Sequence, residues 1–100
     1  ITNAQTLTIR DLIIDNTDLT GSQAIYVNEG NDNPVYIQNI QINGGSGRAI
    51  TIYSENVWIQ NCIIYGGGNG IYLTFNSSYC HILDNSLRDI GRSSGIAYGN

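Results

Sequence analysis

The side chains of this sequence with the most chemical potential are aromatic. Tyr36, Trp58 and His81 recur at intervals of 22 and 23 residues, and each stands between two apolar neighbours. In a strand such a residue points away from the buried face. Tyr26 and Tyr72 recur in a second row. Rigid rows of outward rings can pack on the apolar C–H faces of sugars. The predicted carbohydrate-binding residues are Tyr26, Tyr36, Arg48, Trp58 and Tyr72.

These aromatic rows have two other interpretations, which the sequence leaves open. The rings could pack beneath a neighbouring subunit or a long loop, or they could reflect only the strand preference of aromatic residues. His81 is the only histidine and has no predictable cysteine or histidine companion, so we do not expect it to bind metal or to transfer protons.

Carboxylates are sparse, and they lie in segments with the composition of loops. Weak catalytic candidates are Asp18, Glu29, Asp32 and Glu55, and Asp15 joins them if a site forms between subunits. The stretches 15–18 and 28–33 could offer oxygen ligands to calcium, but neither matches a calcium-loop motif. We therefore expect solvated turns, no metal site and no cofactor.

The charge balance argues against two classes of partner. The chain has no lysine, four arginines and eight acids, for a net charge of −4. Nucleic-acid binding needs clustered cations, and so does binding to an anionic membrane surface. No apolar run approaches the roughly 20 residues that span a bilayer. We expect neither nucleic acid nor membrane as a partner.

Four segments of the chain carry one repeated pattern, with starts at residues 7, 35, 57 and 80, which lie 28, 22 and 23 residues apart. A period in the twenties is typical of a solenoid, in which each repeat forms one coil and is covered only by its neighbours. Residues 1–100 are predicted to form a single segment, with coils at about 6–34, 35–56, 57–79 and 80–100.

Three short strands fit each coil. In the second coil they are predicted at 35–37, 40–42 and 49–52, with a loop over 43–48. Like residues of successive coils would stack about 4.8 Å apart. The predicted inward residues of the last two coils are Val57, Ile59, Cys62, Ile64, Ile71 and Leu73, then Cys80, Ile82, Leu87 and Ile96. The predicted outward rows are Thr8, Tyr36, Trp58 and His81 on one wall, and Tyr26, Thr51, Tyr72 and Ala97 on another.

One corner of each coil is predicted to hold Asp11, Asn39, Asn61 and either Asp84 or Asn85. Asn and Asp tolerate the left-handed backbone of a tight bend. An Asn side chain can also donate to the coil on one side and accept from the coil on the other. We interpret these residues as structural.

The two cysteines are predicted to be free thiols. Cys62 and Cys80 both face inward, but they fall on different walls of successive coils. A disulfide needs Cα atoms within about 7 Å.

Two stretches resemble a known family. Residues 49–62, AITIYSENVWIQNC, look like the pectate lyase stretch in which an Asp-Ala-Ile strand precedes Val-Trp-Ile-Asp-His-Cys. Residues 80–87, CHILDNSL, look like the following coil, Thr-Ile-Ser-Asn-Asn-x-Phe. Over about 95 residues the pattern is similar to the right-handed parallel β-helix superfamily of pectate lyases, polygalacturonases and phage tailspikes. The resemblance implies an all-β, right-handed parallel β-helix of about four coils with three short strands each.

The catalytic acids of those families are missing from the matching positions. Where the lyase pattern has acids, this chain has Arg48, Gln60, Asn61 and Asn69, yet a calcium-assisted lyase needs clustered carboxylates. Residues 16–18 resemble the polygalacturonase Asn-Thr-Asp, but the expected Asp-Asp pair falls at Gly47 and Arg48. Whether the protein is an enzyme therefore stays open, and any glycosidase or lyase activity would use other residues.

The resemblance implies a polysaccharide-binding or polysaccharide-degrading protein at an extracellular or virion surface. The alternative is a structural shaft or stalk without catalysis. The open ends of a four-coil stack have unpaired strand edges, so we expect further coils, a cap or a homotrimer to cover them.

Overall fold

The strands of the chain follow the repeat. A computed structural model describes residues 6–15, 23–28, 33–44, 47–66, 68–74, 77–88, 90 and 96–98. Within these ranges no helix is long and apolar enough to cross a membrane. The strands are β1 (Leu7–Arg10), β2 (Ile13–Asp15), β3 (Ile25–Val27), β4 (Val35–Gln38), β5 (Gln41–Gly44), β6 (Arg48–Ile52), β7 (Val57–Gln60), β8 (Ile63–Gly66), β9 (Asn69–Leu73), β10 (His81–Leu83), β11 (Ser86–Arg88) and β12 (Ile96–Tyr98).

Each strand pairs with the third strand after it, always in parallel. The first sheet has the order β1-β4-β7-β10, the second β2-β5-β8-β11 and the third β3-β6-β9-β12. The chain therefore passes once through all three sheets in every coil. This architecture is a parallel β-helix with three short strands in each coil, as the sequence predicts.

The register stacks like residues, but the second strand of the coil was misplaced. Ile42 pairs with Ile64, as predicted, yet the strand runs over Gln41–Gly44 and β6 begins at Arg48. The predicted strand at 40–42 and loop at 43–48 were wrong in their bounds. Asn39 turns the backbone, which places Ile40 in the corner with 1% of its surface exposed. Pairing of this strand begins only at Gln41, whose N–H donates to the carbonyl of Leu12.

The interior is filled by stacks of β-branched residues. Ile37 lies over Ile59, and Ile50 lies over Ile71, and all four side chains are buried. Each fully buried isoleucine contributes about 1.5–3 kcal/mol. Ile96 was predicted to be buried but is 39% exposed. Its strand pairs with one neighbour, β9, so its outer flank has no described coil to cover it.

The predicted corner has left-handed backbone at every coil. The φ angles of Asp11, Asn39, Asn61 and Asp84 lie between 51° and 60°, so Asp84, and not Asn85, makes the bend of the last coil. The backbone N–H groups of the first three donate to the coil that follows, for example Asn39 to the carbonyl of Gln60 at 3.0 Å. The bend therefore continues the hydrogen-bond ladder around the corner.

Asn85, one residue past the bend, fastens the last coil to the third. Its side-chain oxygen accepts from the N–H of Cys62 at 2.8 Å, and its Nδ2 donates to the carbonyl of Ile59 at 2.9 Å. We expected such an amide to bridge the coils on its two sides. Both bonds instead go to one coil, because Cys62 and Ile59 flank the same bend and present one donor and one acceptor there.

A second left-handed position precedes the first sheet. Asn56 has φ 58° and Tyr79 has φ 57°. Asn adopts this conformation readily, whereas a bulky tyrosine is an outlier there. The Tyr79 side chain is 72% exposed. Its backbone strain is therefore not offset by burial of the ring.

Candidate functional site

The first sheet carries an aromatic row on its outer face. Tyr36, Trp58 and His81 occupy one register position on consecutive coils. The ring centroids of Trp58 and His81 lie 3.7 Å apart with planes inclined by 16°, and those of Tyr36 and Trp58 lie 6.1 Å apart, inclined by 33°. The indole is thus flanked by a ring on both sides. One face of Trp58 is therefore covered by the imidazole.

A second row on this sheet is built from amides. Gln38 and Gln60 are paired in register, and Nε2 of Gln38 donates to Oε1 of Gln60 at 3.1 Å. The next residue in the row is Leu83, which is 43% exposed. The sequence contains the signal for this amide ladder, because both strands end in Gln, but it was not recognised.

The third sheet brings the other predicted residues together. The guanidinium carbon of Arg48 lies 3.5 Å from the ring centroid of Tyr72, on the next coil. Tyr26 is 39% exposed, and its ring lies 5.3 Å from that of Tyr53, inclined by 39°. The predicted binding residues therefore lie on two sheets, Tyr36 and Trp58 on the first and Tyr26, Arg48 and Tyr72 on the third. On the third sheet Arg48 contacts Tyr72, whereas Tyr26 contacts Tyr53.

Thr51 was predicted to be exposed between Tyr26 and Tyr72, and this was wrong. The register places it between them, but none of its surface is exposed and its hydroxyl has no hydrogen-bond partner. Its side chain is short beside the tyrosines of the two neighbouring strands, so an outward register position does not by itself make it exposed. The side chain of Ala97, at the end of this row, lies outside the described part.

The second sheet has a pair that the sequence analysis missed. Arg88 donates from Nη1 to the hydroxyl of Tyr65 at 3.3 Å and from Nε to Oγ of Ser86 at 3.0 Å. Its guanidinium carbon lies 5.8 Å from the Tyr65 ring centroid. The signal was the shared register of Tyr65 and Arg88, both at the third position of their strands.

The ring and guanidinium contacts on the three outer faces have one property in common. Each joins a side chain of one coil to a side chain of the next, as do the amide pair on the first sheet and the bond of 2.7 Å from Nδ2 of Asn39 to Asp11. A shell of side-chain ladders therefore surrounds the backbone coil and ties it along its axis.

The acidic candidates do not converge among the described residues. Asp18, Glu29 and Asp32 lie outside the described ranges, and Glu55 is exposed in the bend before β7. Asp11 and Asp84 share a corner but are three strand spacings apart, about 14 Å. Glycosidases place their carboxyls about 5–9.5 Å apart. In the part of the chain described here, no group of three His, Cys, Asp or Glu side chains could hold a metal ion.

Both cysteines are free thiols, as predicted. Burial raises the pKa of the Cys62 thiol, and nearby backbone hydrogen bonds lower it by less. Burial also raises the pKa of Cys80, and the charge of Glu55 adds to that effect. Neither thiol has the depressed pKa of a reactive nucleophile.

A groove runs along the left-handed corner between the first and second sheets. It encloses about 320 Å³. Its lining residues are Asp11, Leu12, Ile13, Asn39, Ile40, Gln41, Asn61 and Ile63. The corner residues were predicted to be structural, and no concavity was predicted beside them.

Comparison with known proteins agrees with this coil geometry. Residues 1–100 match the family described as "Right handed beta helix region". The chain belongs to the right-handed β-helix family. This membership confirms the predicted hand and fold class of the repeat.

One relative is a cell surface glycoprotein of Methanothermus fervidus. It is 32% identical to this chain over 115 residues, which cover 99% of the chain and 18% of the relative. The chain therefore spans less than a fifth of that protein's length. No solved structure matches the chain.

Proposed function

We propose that this β-helix is a rigid scaffold segment of a protein exposed at the cell surface. The name of the M. fervidus relative supports the surface location. The scaffold role rests on the use of the outer side chains, because a shaft must resist separation of its coils. Each coil of a solenoid touches only its two neighbours, so contacts between adjacent coils must hold the shaft together.

The observation that carries this proposal is the stack of His81 on Trp58. A ring reserved for a ligand keeps one face open to solvent. Trp58 instead has one face stacked on His81 of the following coil, and the ring of Tyr36 on the preceding coil lies 6.1 Å away, centroid to centroid. Arg88 on Tyr65 and Gln38 with Gln60 repeat this arrangement on other rows. Such contacts add stability along the coil axis without a ligand.

The test replaces Trp58 with the residue that the first coil of this chain has at the same position. Thr8 occupies the same register position as Trp58 on the first coil. Trp58→Thr should lower the free energy of unfolding by about 1–2 kcal/mol, since an aromatic pair and its apolar area are lost. It should leave retention of the chain by polysaccharides in affinity electrophoresis unchanged. Unaltered stability together with lost retention would overturn the scaffold role of this row.

A second candidate function is binding of an acidic polysaccharide by the third sheet. Arg48 over Tyr72, with Tyr26 39% exposed, favours it, because a guanidinium fork fits a sugar carboxylate. Arg48→Gln should abolish retention by polygalacturonate. Arg88→Gln is the matched control, because Arg88 also lies over a tyrosine of an adjacent coil. Equal loss in both variants would indicate nonspecific charge attraction and contradict this candidate.

The assembly state belongs to the same proposal. Further coils or two more copies of the chain would cover the half-exposed inward residues of the end coils, among them Ile96. A homotrimer predicts threefold mass in sedimentation equilibrium. A single-chain mass at every concentration would contradict the homotrimer.

A further inference from the structure

The corner groove has two walls of different chemistry. One wall is the row of left-handed residues, Asp11, Asn39 and Asn61, whose side chains are exposed. The other is the outward row of the second sheet, where Ile13, Gln41 and Ile63 pair in register. The turn that buries Ile40 leaves the space between these rows open.

The polar wall can donate and accept hydrogen bonds. Nδ2 of Asn39 donates to Asp11, which leaves the Asn39 carbonyl oxygen to accept from a ligand. Asn61 lines the groove and makes no side-chain hydrogen bond to the described residues, so its amide is available to a ligand. Gln41 donates from Nε2 to Asn43 at 3.4 Å, and its carbonyl oxygen is left over. Hydroxyl groups can satisfy all of these because they both donate and accept.

The apolar wall is unusual for a solvated surface. Ile13 is 73% exposed and Ile63 is 39% exposed. Single exposed aliphatic residues are normal, but grouped ones beside a concavity mark a contact surface. Ile13 and Ile63 lie two strand spacings apart, about 10 Å. They give the groove two aliphatic contacts separated by a polar residue.

The groove has almost no net charge. Its one acid, Asp11, accepts from Asn39 and lies 3.7 Å from Nε of Arg10. No other ionisable side chain lines it. The walls therefore match an uncharged ligand that combines hydroxyls with C–H faces. A volume of about 320 Å³ is at the lower end of the range for small-molecule sites.

We propose that this corner groove binds a short, uncharged saccharide, independently of the third-sheet face. Amides of Asn39, Asn61 and Gln41 recognise its hydroxyls, and Ile13 and Ile63 cover its C–H faces. The site goes beyond the scaffold role, because its occupant is a ligand and not a neighbouring coil. It also differs from the acidic-polysaccharide candidate in both place and charge.

The experiment is a titration of the ¹⁵N-labelled chain with neutral tetrasaccharides, followed by the side-chain amide signals. The probes are cellotetraose, maltotetraose and tetra-N-acetylchitotetraose, with tetragalacturonate as the charged comparison. We expect at least one neutral probe to shift the amides of Asn39, Asn61 and Gln41 to saturation. We also expect tetragalacturonate to leave these signals unshifted.

A matched pair of variants assigns the effect to the groove. Ile63→Ser copies Ser86, its register partner on the next coil, and should weaken binding about tenfold through lost apolar contact. Leu83→Ser removes a similarly exposed aliphatic residue outside the groove and should leave affinity unchanged. Gln41→Ala is a second groove variant, expected to weaken binding with an unaltered unfolding temperature.

Four results would overturn the proposal. The first is saturation by none of the neutral probes up to about 10 mM, which corresponds to a binding free energy weaker than about −3 kcal/mol. The second is a set of shifts centred on the third sheet, and the third is equal affinity for tetragalacturonate. The fourth is a dimer in sedimentation that Ile63→Ser dissociates. The last result would assign the groove to a second copy of the chain. Loss of polygalacturonate retention in Arg48→Gln tests the third sheet alone, so the two sites fail separately.

Discussion

The imidazole of His81 lies flat against the indole of Trp58, with ring centroids 3.7 Å apart, although 23 residues separate them in the chain. The parallel register between β7 and β10 creates this contact, because it sets equivalent residues of neighbouring coils side by side. An outward residue in a β-helix therefore has two ready neighbours. Whether it serves a ligand or the coil depends on what occupies those two positions.

A double-mutant cycle on this pair measures the stacking energy. We expect Trp58→Thr and His81→Thr to be non-additive, with a coupling of about 0.5–1.5 kcal/mol in the free energy of unfolding. Urea denaturation of the four proteins gives the value. Trp58→Thr combined with Gln60→Thr is a suitable control, because Trp58 and Gln60 belong to different register rows of the first sheet. Additive effects in the first cycle would mean that the two rings do not stabilise each other.

Adjacent isoleucines in β8 test the inside–outside assignment. Ile64 is fully buried and Ile63 is 39% exposed. Ile64→Ala should cost about 2–5 kcal/mol, since it leaves a cavity that the stacked coils cannot close. Ile63→Ala should cost less than about 1 kcal/mol. Chemical denaturation followed by circular dichroism compares the two, and similar costs would contradict the alternation.

Replacing Tyr79, whose backbone is strained, should stabilise the chain. Tyr79, in the third coil, has φ 57° at the position where the second coil has Asn56. Tyr79→Asn is expected to stabilise the chain by about 1 kcal/mol, because a left-handed backbone costs non-Gly residues about 1–2 kcal/mol and asparagine less. Thermal unfolding measures the gain. Tyr79→Ala is the control and should give none, since alanine is no better suited to positive φ.

The coil, its register and its corner could be predicted because each depends on local rules that repeat. Alternation of Val, Ile and polar residues specifies the buried face, and a period in the twenties specifies stacking. Asp11, Asn39 and Asn61 identified the left-handed bend because few other residues tolerate it. Four repeats of one pattern average out the errors of any single one.

The sequence could not show what the outward side chains contact. Thr51 has the same alternation as Tyr26, yet none of its surface is exposed. Trp58 resembles a sugar platform until the position of His81 is known. The groove depends on how deeply Ile40 enters the corner, which shifted β5 by one residue from its predicted start. These features follow from contacts between coils and have no signature within one repeat.

The two hydrogen bonds of the Asn85 side chain predict that removing its amide lowers the free energy of unfolding substantially. Its two hydrogen bonds satisfy the N–H of Cys62 and the carbonyl of Ile59. Asn85→Ala should cost on the order of 2–4 kcal/mol, because backbone groups lose their partner in a partly buried site. Asn43→Ala is the control, since its oxygen accepts only a long bond from Gln41, and it should cost under about 0.5 kcal/mol. Equal costs, measured by urea unfolding, would show that water replaces the Asn85 amide.

The contribution of Cys62 to the free energy of unfolding decreases at alkaline pH. Burial raises its pKa above the ordinary value of 9.0 in the folded chain, while the unfolded chain exposes the thiol. Below about pH 9 both states hold the proton and the thiol contributes its full share to stability. Above it, the unfolded state releases the proton first, so the free energy of unfolding falls as pH rises toward the folded pKa.

The difference between the parent chain and Cys62→Ala isolates this thiol, since every other titratable group is present in both. We expect the stability advantage of the parent over Cys62→Ala to be constant between pH 6 and 8 and to shrink between pH 9 and 11, by about 1.4 kcal/mol for each pH unit in which only the unfolded thiol is ionised. Unfolding by urea at each pH supplies the measurement. An advantage that stays constant up to pH 11 would mean that the thiolate forms as readily in the folded coil, and that Cys62 is not sealed in its corner.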